Sequence, residues 1–173
     1  MEFEGNGEAI LSFGDNLTIG GTLSLKNESS TLLLGAAIGK TINSLDQKIF
    51  EIHLNGNLGA GKTTLVRGIL QYLGWKDVVT SPTYTLCEEY EIDNKLLLHV
   101  DLYRIESQED VEVLNLDRET FNQKIIFIEW PENLQTDRQE DVIINLEHDK
   151  QANRSHGDNG HPHGAPTAAR CAN

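Results

Sequence analysis

The sequence lacks the cysteines and the long apolar runs that mark many secreted and membrane proteins. Its 173 residues include only two cysteines, too few for a disulfide framework and too far apart for a metal knuckle. No stretch approaches the roughly 18 consecutive apolar residues of a membrane span. The acidic start of the chain lacks the basic and then apolar segments of an export signal. We therefore expect a cytoplasmic protein in a reducing compartment.

Basic residues are also scarce. Fourteen Lys and Arg residues stand against 27 Asp and Glu residues, which gives a net charge of −13. Because proteins hold nucleic acid through Lys and Arg side chains that neutralise phosphates, this charge disfavours direct binding of nucleic acid. Either the acidity serves only solubility, or any role at nucleic acid runs through another protein.

The composition divides the chain into three parts. Residues 1–16 are glycine-rich and acidic and predict a loose leader, whereas residues 17–150 have the apolar rhythm of a single domain. Residues 151–173 predict a disordered tail, because they hold too little apolar surface to offset the entropy of ordering. Three histidines in this tail suggest metal binding, but no rigid scaffold supports them: His156, His161 and His163.

Within residues 17–150, the apolar periodicity alternates between that of strands and that of helices. It predicts strands over 17–25, 49–54, 83–92, 95–102, 124–129 and 142–146. It predicts helices over 31–44, with Ser29 or Ser30 as N-cap, over 62–73, with Gly74 as stop, and after Ser107. The resulting expectation is an α/β fold with a mainly parallel central sheet, an antiparallel hairpin around residues 93–94, and helices on both faces.

The strongest motif is the Gly-Asn-Leu-Gly-Ala-Gly-Lys-Thr run of residues 56–63, a full match to G-x-x-x-x-G-K-[ST]. Its glycines let successive backbone N–H groups point at one anion, and the following helix directs its positive end there. Lys62 would supply a cation for the β- and γ-phosphates, and Thr63 a ligand for Mg²⁺. The residues predicted to bind the nucleotide are Asn57, Leu58, Gly59, Ala60, Gly61, Lys62, Thr63 and Thr64. This context indicates a P-loop NTPase-like three-layer fold.

A site of this kind needs an acidic residue at a strand end to hold the metal ion or its waters. Two residues meet that requirement, since Asp101 and Glu129 each follow an apolar run, and either could be the metal-side acid. His99, two residues before Asp101, is predicted to be packed in the strand rather than catalytic. The hydroxyl-rich residues Ser81, Thr83 and Thr85 fit a loop that senses the γ-phosphate, although an ordinary turn fits them equally well.

Two absent patterns narrow the class of P-loop protein. No Asn-Lys-x-Asp guanine signature occurs, since Leu96 and Leu97 follow Asn94 and Lys95, and no arginine-rich lid follows the P-loop. The first absence argues against a GTPase, and the second argues against a small-molecule kinase. Besides an ATPase, a small P-loop phosphotransferase and a non-catalytic, nucleotide-dependent binding module remain as alternatives.

Four motifs occur in an order that resembles the bacterial TsaE (YjeE) ATPases. They cover residues 54–64, 81–86, 99–104 and 128–131, within a resemblance that spans roughly residues 20–148. The P-loop alone is generic, whereas the ordered set is specific. Residues 1–16 and the segment after Lys150 have no counterpart in this family's pattern.

The resemblance implies a Mg²⁺-dependent ATPase that is required for N6-threonylcarbamoyladenosine formation on tRNA. In that family the protein acts through the TsaD and TsaB proteins, so contact with tRNA would be indirect, which agrees with the acidic charge. The family pattern gives Lys62, Asp101 and Glu129 as catalytic residues, with Lys62 on the phosphates and Asp101 in hydrolysis. Thr63 and Glu129 would ligate Mg²⁺, residues 81–85 would form the nucleotide-sensing loop, and Trp130 would lie beside the site.

Overall fold

The computed structural model describes residues 7–13, 22–120, 122–134 and 138–148. The strands in this part are β1 (Gly7–Phe13), β2 (Thr22–Leu25), β3 (Ile49–Asn55), β4 (Cys87–Ile92), β5 (Lys95–Asp101), β6 (Gln123–Glu129) and β7 (Val142–His148). The helices are α1 (Glu28–Asn43), α2 (Lys62–Leu73) and α3 (Gln108–Val113), with a 3₁₀ turn at Pro131–Asn133. None of these helices has the length and apolar character that a membrane crossing requires.

The strands form one seven-stranded mixed sheet in the order β2-β1-β7-β3-β6-β5-β4. Its centre is parallel, because β3 pairs in parallel with β7 and β6, and β6 with β5. At one edge β4 and β5 form the antiparallel hairpin predicted around residues 93–94. At the other edge β1 is antiparallel to both β2 and β7.

Helices cover the central sheet on both sides, which confirms the predicted α/β class. On one face, α1 and α2 bury a core with the inward residues of the parallel strands, such as Ile52, Phe127 and Ile144. On the other face, α3 and the loops beside it cover a smaller core that includes Val100, Val111 and Ile128. The near-continuous apolar runs of β5 and β6 follow from this burial on both faces.

The prediction of a loose leader over residues 1–16 is wrong for residues 7–13, which form β1. Every residue of β1 is paired with β7, so the sheet supplies the backbone hydrogen bonds that an isolated, glycine-containing segment could not keep. Of the strand predicted over 17–25, residues 22–25 are seen as β2, and residues 17–21 lie outside the described part. The predicted tail over 151–173 also lies outside the described residues.

Local hydrogen bonds shift two of the predicted boundaries. Helix α1 begins at Glu28 rather than at residue 31, because the Asn27 side chain accepts a hydrogen bond from Ser30 N at 2.9 Å and is the N-cap. Strand β4 begins at Cys87 rather than at residue 83, because residues 82–86 close a turn in which Leu86 N donates to Pro82 O at 2.7 Å. The second helix and its stop at Gly74 occur as predicted.

Helices α1 and α2 approach each other closely at two glycines. A Cβ atom on Gly68 would lie 2.5 Å from Leu32 O, and one on Gly35 would lie 2.5 Å from Leu65 O. Only a residue without a side chain fits at such a crossing. The contact matters for function, because α2 starts at the P-loop and its position over the sheet is fixed here.

We expect Gly68→Ala to lower the free energy of unfolding by about 1–3 kcal/mol, since the added methyl group meets backbone atoms that cannot rotate away. Chemical denaturation followed by circular dichroism measures the change. Gln71→Ala, at an exposed position of the same helix, is the matched control and should stay within about 0.5 kcal/mol of the wild type. A Gly68→Ala protein at least as stable as the wild type would contradict the packing described.

A charged cluster lies on β3, on the sheet face opposite α2. The Arg138 side chain donates to both carboxylate oxygens of Glu51, with Nη2 at 2.7 Å from Oε2, and His53 Nε2 lies 2.8 Å from Glu51 Oε1. Burial raises the pKa of Glu51, but the hydrogen bonds from His53 and Arg138 more than offset this, so that its pKa lies below the ordinary value. Arg138 also donates to the exposed carboxylate of Asp117 at 2.9 Å.

We expect Arg138→Met to destabilise the protein by about 3 kcal/mol near neutral pH, because it leaves the buried Glu51 without its cation. A lowered pKa means that the contribution of this carboxylate is complete above its ordinary pKa and is lost as the pH falls through the lower, folded value. The difference between wild type and variant should therefore shrink below about pH 4.5. Asp117→Asn removes the exposed partner and should change stability by less than about 1 kcal/mol.

Candidate functional site

The functional residues meet where three parallel strands end. Strand β3 runs into the glycine loop, β5 ends at Asp101 and β6 ends at Glu129, and these two acids are paired in register. They line a cavity of about 340 Å³ together with the loop and the first turn of α2. Open α/β sheets bind their ligands at this carboxyl edge, so the cavity is the candidate site.

The glycine loop presents its backbone to this cavity. Gly59 and Gly61 have φ angles of 80° and 100°, in the left-handed region that favours glycine. Within the described part of the chain, no side chain caps the start of α2 at Gly61. The N–H groups of the helix's first turn are therefore available to an anion in the cavity, and the helix dipole favours one there.

Lys62 lies at the centre of the site. Its Nζ donates hydrogen bonds to Gly56 O at 2.5 Å and to Asn57 O at 3.3 Å, and it lies 4.0 Å from the centre of the Trp130 ring. Burial lowers the pKa of Lys62, whereas the nearby carboxylates of Glu129 and Asp101 act to raise it. The ammonium group is thus held beside the loop with carbonyl oxygens and an aromatic face as its partners, none of which is a full counter-charge.

Glu129 joins the start of α2 to strand β5. Its Oε1 accepts hydrogen bonds from Thr63 Oγ1 at 2.9 Å and from His99 Nε2 at 2.8 Å. A hydroxyl and a carboxylate oxygen side by side are the hard ligands that Mg²⁺ prefers. In the described ranges, no group of three or more His, Cys, Asp or Glu residues is arranged to hold a metal ion by itself. A Mg²⁺ ion that takes the rest of its ligands from phosphates and water needs no such cluster, so Thr63 and Glu129 fit it.

Asp101 anchors the hydroxyl-rich segment after α2. Its Oδ2 accepts from Ser81 Oγ at 2.9 Å and from Thr83 Oγ1 at 2.6 Å, and its Oδ1 accepts from Tyr103 N at 3.0 Å. Ser81 and Thr83 line the cavity with Asp101. Thr85, predicted as a third member of a sensing loop, points elsewhere, since its hydroxyl donates to Glu88 Oε1 at 2.8 Å.

Most of the residues predicted to bind the nucleotide line the cavity, namely residues 58–64. Asn57 is not among them and contributes its carbonyl oxygen to Lys62 instead. Four residues near the start of α1 also line the cavity but are not among those predicted from the sequence: Leu25, Asn27, Glu28 and Thr31. Nothing in their local sequence indicates this role, because it results from the packing of α1 on α2.

His99 is the second omission. It is fully buried, which agrees with the prediction that it packs within the strand, yet it also contacts Glu129. The sequence does indicate this contact, because His99 and Asp101 are two residues apart in a strand and therefore share one of its faces. A histidine on the same strand face as a predicted catalytic acid is a candidate for contact with the site.

Comparisons with known proteins agree with this geometry. Residues 25–156 match the family profile described as "Threonylcarbamoyl adenosine biosynthesis protein TsaE". The chain is 42% identical over 127 residues to the tRNA threonylcarbamoyladenosine biosynthesis protein TsaE of Haemophilus influenzae, covering 72% of this chain and 80% of that protein. The protein of the same name from Aquifex aeolicus is 34% identical over 125 residues, covering 71% and 84%.

Among solved structures, the chain matches the crystal structure of Bacillus subtilis YdiB with a TM-score of 0.48 and 26% identity, over 69% of this chain and 72% of that one. The order of the strands and the loop between β3 and α2 define an α/β protein of the P-loop NTPase type. Since the TsaE profile matches more than half of the sequence, the chain belongs to the TsaE family.

Proposed function

We propose that this protein binds ATP with Mg²⁺ and hydrolyses it in the cytoplasm, in support of threonylcarbamoyladenosine formation on tRNA. It would act through the TsaD and TsaB proteins. The observation that carries the ATPase proposal is the convergence of Lys62, Thr63, Asp101 and Glu129 on one cavity at the carboxyl edge of the sheet. Membership of the TsaE family, and the names of its relatives, support the role in tRNA modification.

Binding of the triphosphate follows from the loop and Lys62. The uncapped N–H groups at the start of α2, together with the left-handed glycines Gly59 and Gly61, would surround a bound phosphate. Lys62 Nζ exchanges the carbonyl oxygens of Gly56 and Asn57 for phosphate oxygens, which offer it a full counter-charge in a partly desolvated site. This gain in charge pairing stabilises the nucleotide-bound state of the loop relative to the unbound state.

Thr63 and Glu129 are the residues that would hold Mg²⁺. Their oxygens are already 2.9 Å apart, so neither side chain needs a large movement to share a cation. The ion, when bound, supplies positive charge that stabilises the phosphate oxygens during transfer. The second candidate acid, Asp101, holds Ser81 and Thr83 and is the carboxylate best suited to orient a water molecule for attack.

Partner binding is supported by the surface around the cavity. Leu58 and Tyr103 line the cavity and are 72% and 45% exposed, and Tyr84, next in the chain to the cavity-lining Thr83, is 82% exposed. Exposed apolar side chains grouped at one place are typical of protein interfaces. An acidic chain of charge −13 that serves tRNA through other proteins does not need a basic surface of its own.

The test is ATP turnover by the full chain, alone and with TsaB and TsaD added, with Lys62→Ala as the matched inactive variant. We expect turnover that rises with the partners and is lost in Lys62→Ala, since removing a charge-assisted phosphate contact costs about 2 kcal/mol in binding and more in the transition state. Equal phosphate release by wild type and Lys62→Ala would refute the assignment.

Two other outcomes identify the alternatives. A burst of ADP that depends on an added metabolite would indicate a phosphotransferase, because the phosphoryl group would then leave for an acceptor other than water. Tight ATP binding without turnover, even with both partners present, would indicate a binding module that uses nucleotide only to order residues 81–83.

Removal of the charge of Glu129 and removal of the charge of Asp101 should have different effects on nucleotide binding and hydrolysis. Glu129→Gln should raise the Mg²⁺ concentration needed for nucleotide binding by about tenfold or more, the equivalent of about 1.4 kcal/mol, because a charged oxygen ligand is lost. Asp101→Asn should bind ATP with nearly normal affinity and hydrolyse it at least about 100-fold more slowly. Titration of Mg²⁺ against ATP binding, together with phosphate release, separates these effects. Normal turnover by Asp101→Asn would show that this acid only anchors the loop.

A further inference from the structure

His99 contacts a proposed metal ligand, yet the proposed function gives it no task. It lies on β5, on the same face as Asp101, and is fully buried at 0% exposure. Its Nε2 contacts Glu129 Oε1 at 2.8 Å across the parallel pair of β5 and β6. A buried imidazole that is hydrogen-bonded to a carboxylate at a cavity wall does more than pack in the core, because the hydrogen bond restricts the rotation of that carboxylate.

The environment of the ring selects its tautomer. A carboxylate oxygen can only accept, so Nε2 must carry the proton that it donates to Glu129. No described residue makes a hydrogen bond to Nδ1, which is buried. A buried N–H without an acceptor is costlier than a bare ring nitrogen, so the Nε2–H tautomer suits both sides of the ring. The donor to Glu129 is therefore permanent rather than dependent on the orientation of a flexible group.

The two hydrogen bonds on Glu129 fall on the same oxygen. Thr63 Oγ1 and His99 Nε2 both donate to Oε1, and no described residue donates to Oε2. A carboxylate pinned through one oxygen presents the other in a fixed direction. Glu129 lines the cavity next to Thr63, so this restraint acts on a carboxylate at the cavity wall.

We propose that His99 is a positioning residue that orients Glu129 for Mg²⁺ through the Nε2–H to Oε1 hydrogen bond. This inference rests on the proposed function, because it assumes that Glu129 ligates the ion. Partners that hold a metal ligand in place typically change metal affinity by about 10- to 100-fold when removed. Loss of the His99 hydrogen bond should therefore raise the Mg²⁺ concentration needed for nucleotide binding. It should leave unchanged the affinity of the glycine loop for phosphate in the absence of Mg²⁺.

The experiment compares His99→Gln with His99→Leu in the full chain. The glutamine amide can put an N–H group near the position of Nε2, whereas leucine fills a similar volume and donates nothing. We expect His99→Leu to raise the Mg²⁺ concentration at half-saturation of ATP binding by about tenfold, and His99→Gln to stay within about threefold of the wild type. Binding of ATP measured in EDTA should be equal in all three proteins.

His53→Leu is the matched control. His53 is also buried, and its Nε2 also lies 2.8 Å from a glutamate, Glu51, but on the face of the sheet away from the cavity. It should lower the melting temperature without moving the Mg²⁺ midpoint. If His99→Leu does not fold, His99→Asn takes its place, since its shorter amide falls short of Glu129 and the same contrast with glutamine applies.

A double-mutant cycle tests whether His99 acts through Glu129. In a Glu129→Gln background, His99→Leu should shift the Mg²⁺ midpoint by less than about twofold, whereas independent roles would give the full tenfold shift again. An unchanged midpoint in His99→Leu alone, or an equal loss in His99→Leu and His99→Gln, would overturn the inference. If instead the wild type binds ATP without any dependence on Mg²⁺, it is the proposed function that fails.

Discussion

The parallel register of β3, β6 and β5 is the constraint on which the candidate site depends. Because these strands run the same way, the glycine loop, Glu129 and Asp101 all emerge at one edge of the sheet. The register also fixes which face they occupy, since a slip of one residue turns every side chain to the other side. Glu129 would then lie under α3 instead of beside Thr63.

A buried glutamate–histidine pair lies on each face of the sheet. The two glutamates differ in their other partners, and this difference distinguishes the structural pair at Glu51 from the pair at the candidate site. The carboxylate of Glu51 accepts hydrogen bonds from the Arg138 guanidinium group on both of its oxygens, so its charge is already compensated. Glu129 has only a hydroxyl and an imidazole as hydrogen-bond partners among the described residues. Its charge is therefore incompletely compensated at the wall of a cavity. A buried carboxylate in that situation gains most from an added cation, which agrees with its proposed use as a metal ligand.

Local signals explain which features the sequence could predict. The loop at residues 56–63, the strands that end at Asp101 and Glu129, and the hairpin around residues 93–94 each depend on residues close together in the chain. Strand β1 and the role of His99 depend on neighbours far away, namely β7 and β6. Thr85 fits the hydroxyl-rich pattern yet faces Glu88, because the backbone turns at Leu86, whose φ is 62°. A motif fixes residue types, whereas the turn decides which of them reach the cavity.

The net charge of −13 has the same sign as the charge of the proposed ligand, ATP, and the different ranges of the forces involved explain how the two are compatible. At physiological ionic strength, charges on the surface are screened beyond about 8 Å. Within the cavity, the N–H groups of α2 and the Lys62 ammonium act at contact distance and with little intervening water, so they outweigh distant carboxylates. A tRNA backbone would instead contact a wide area of the surface of a chain that carries more acidic than basic residues. The same chain is thus suited to hold a small polyanion itself and to leave a large one to a partner.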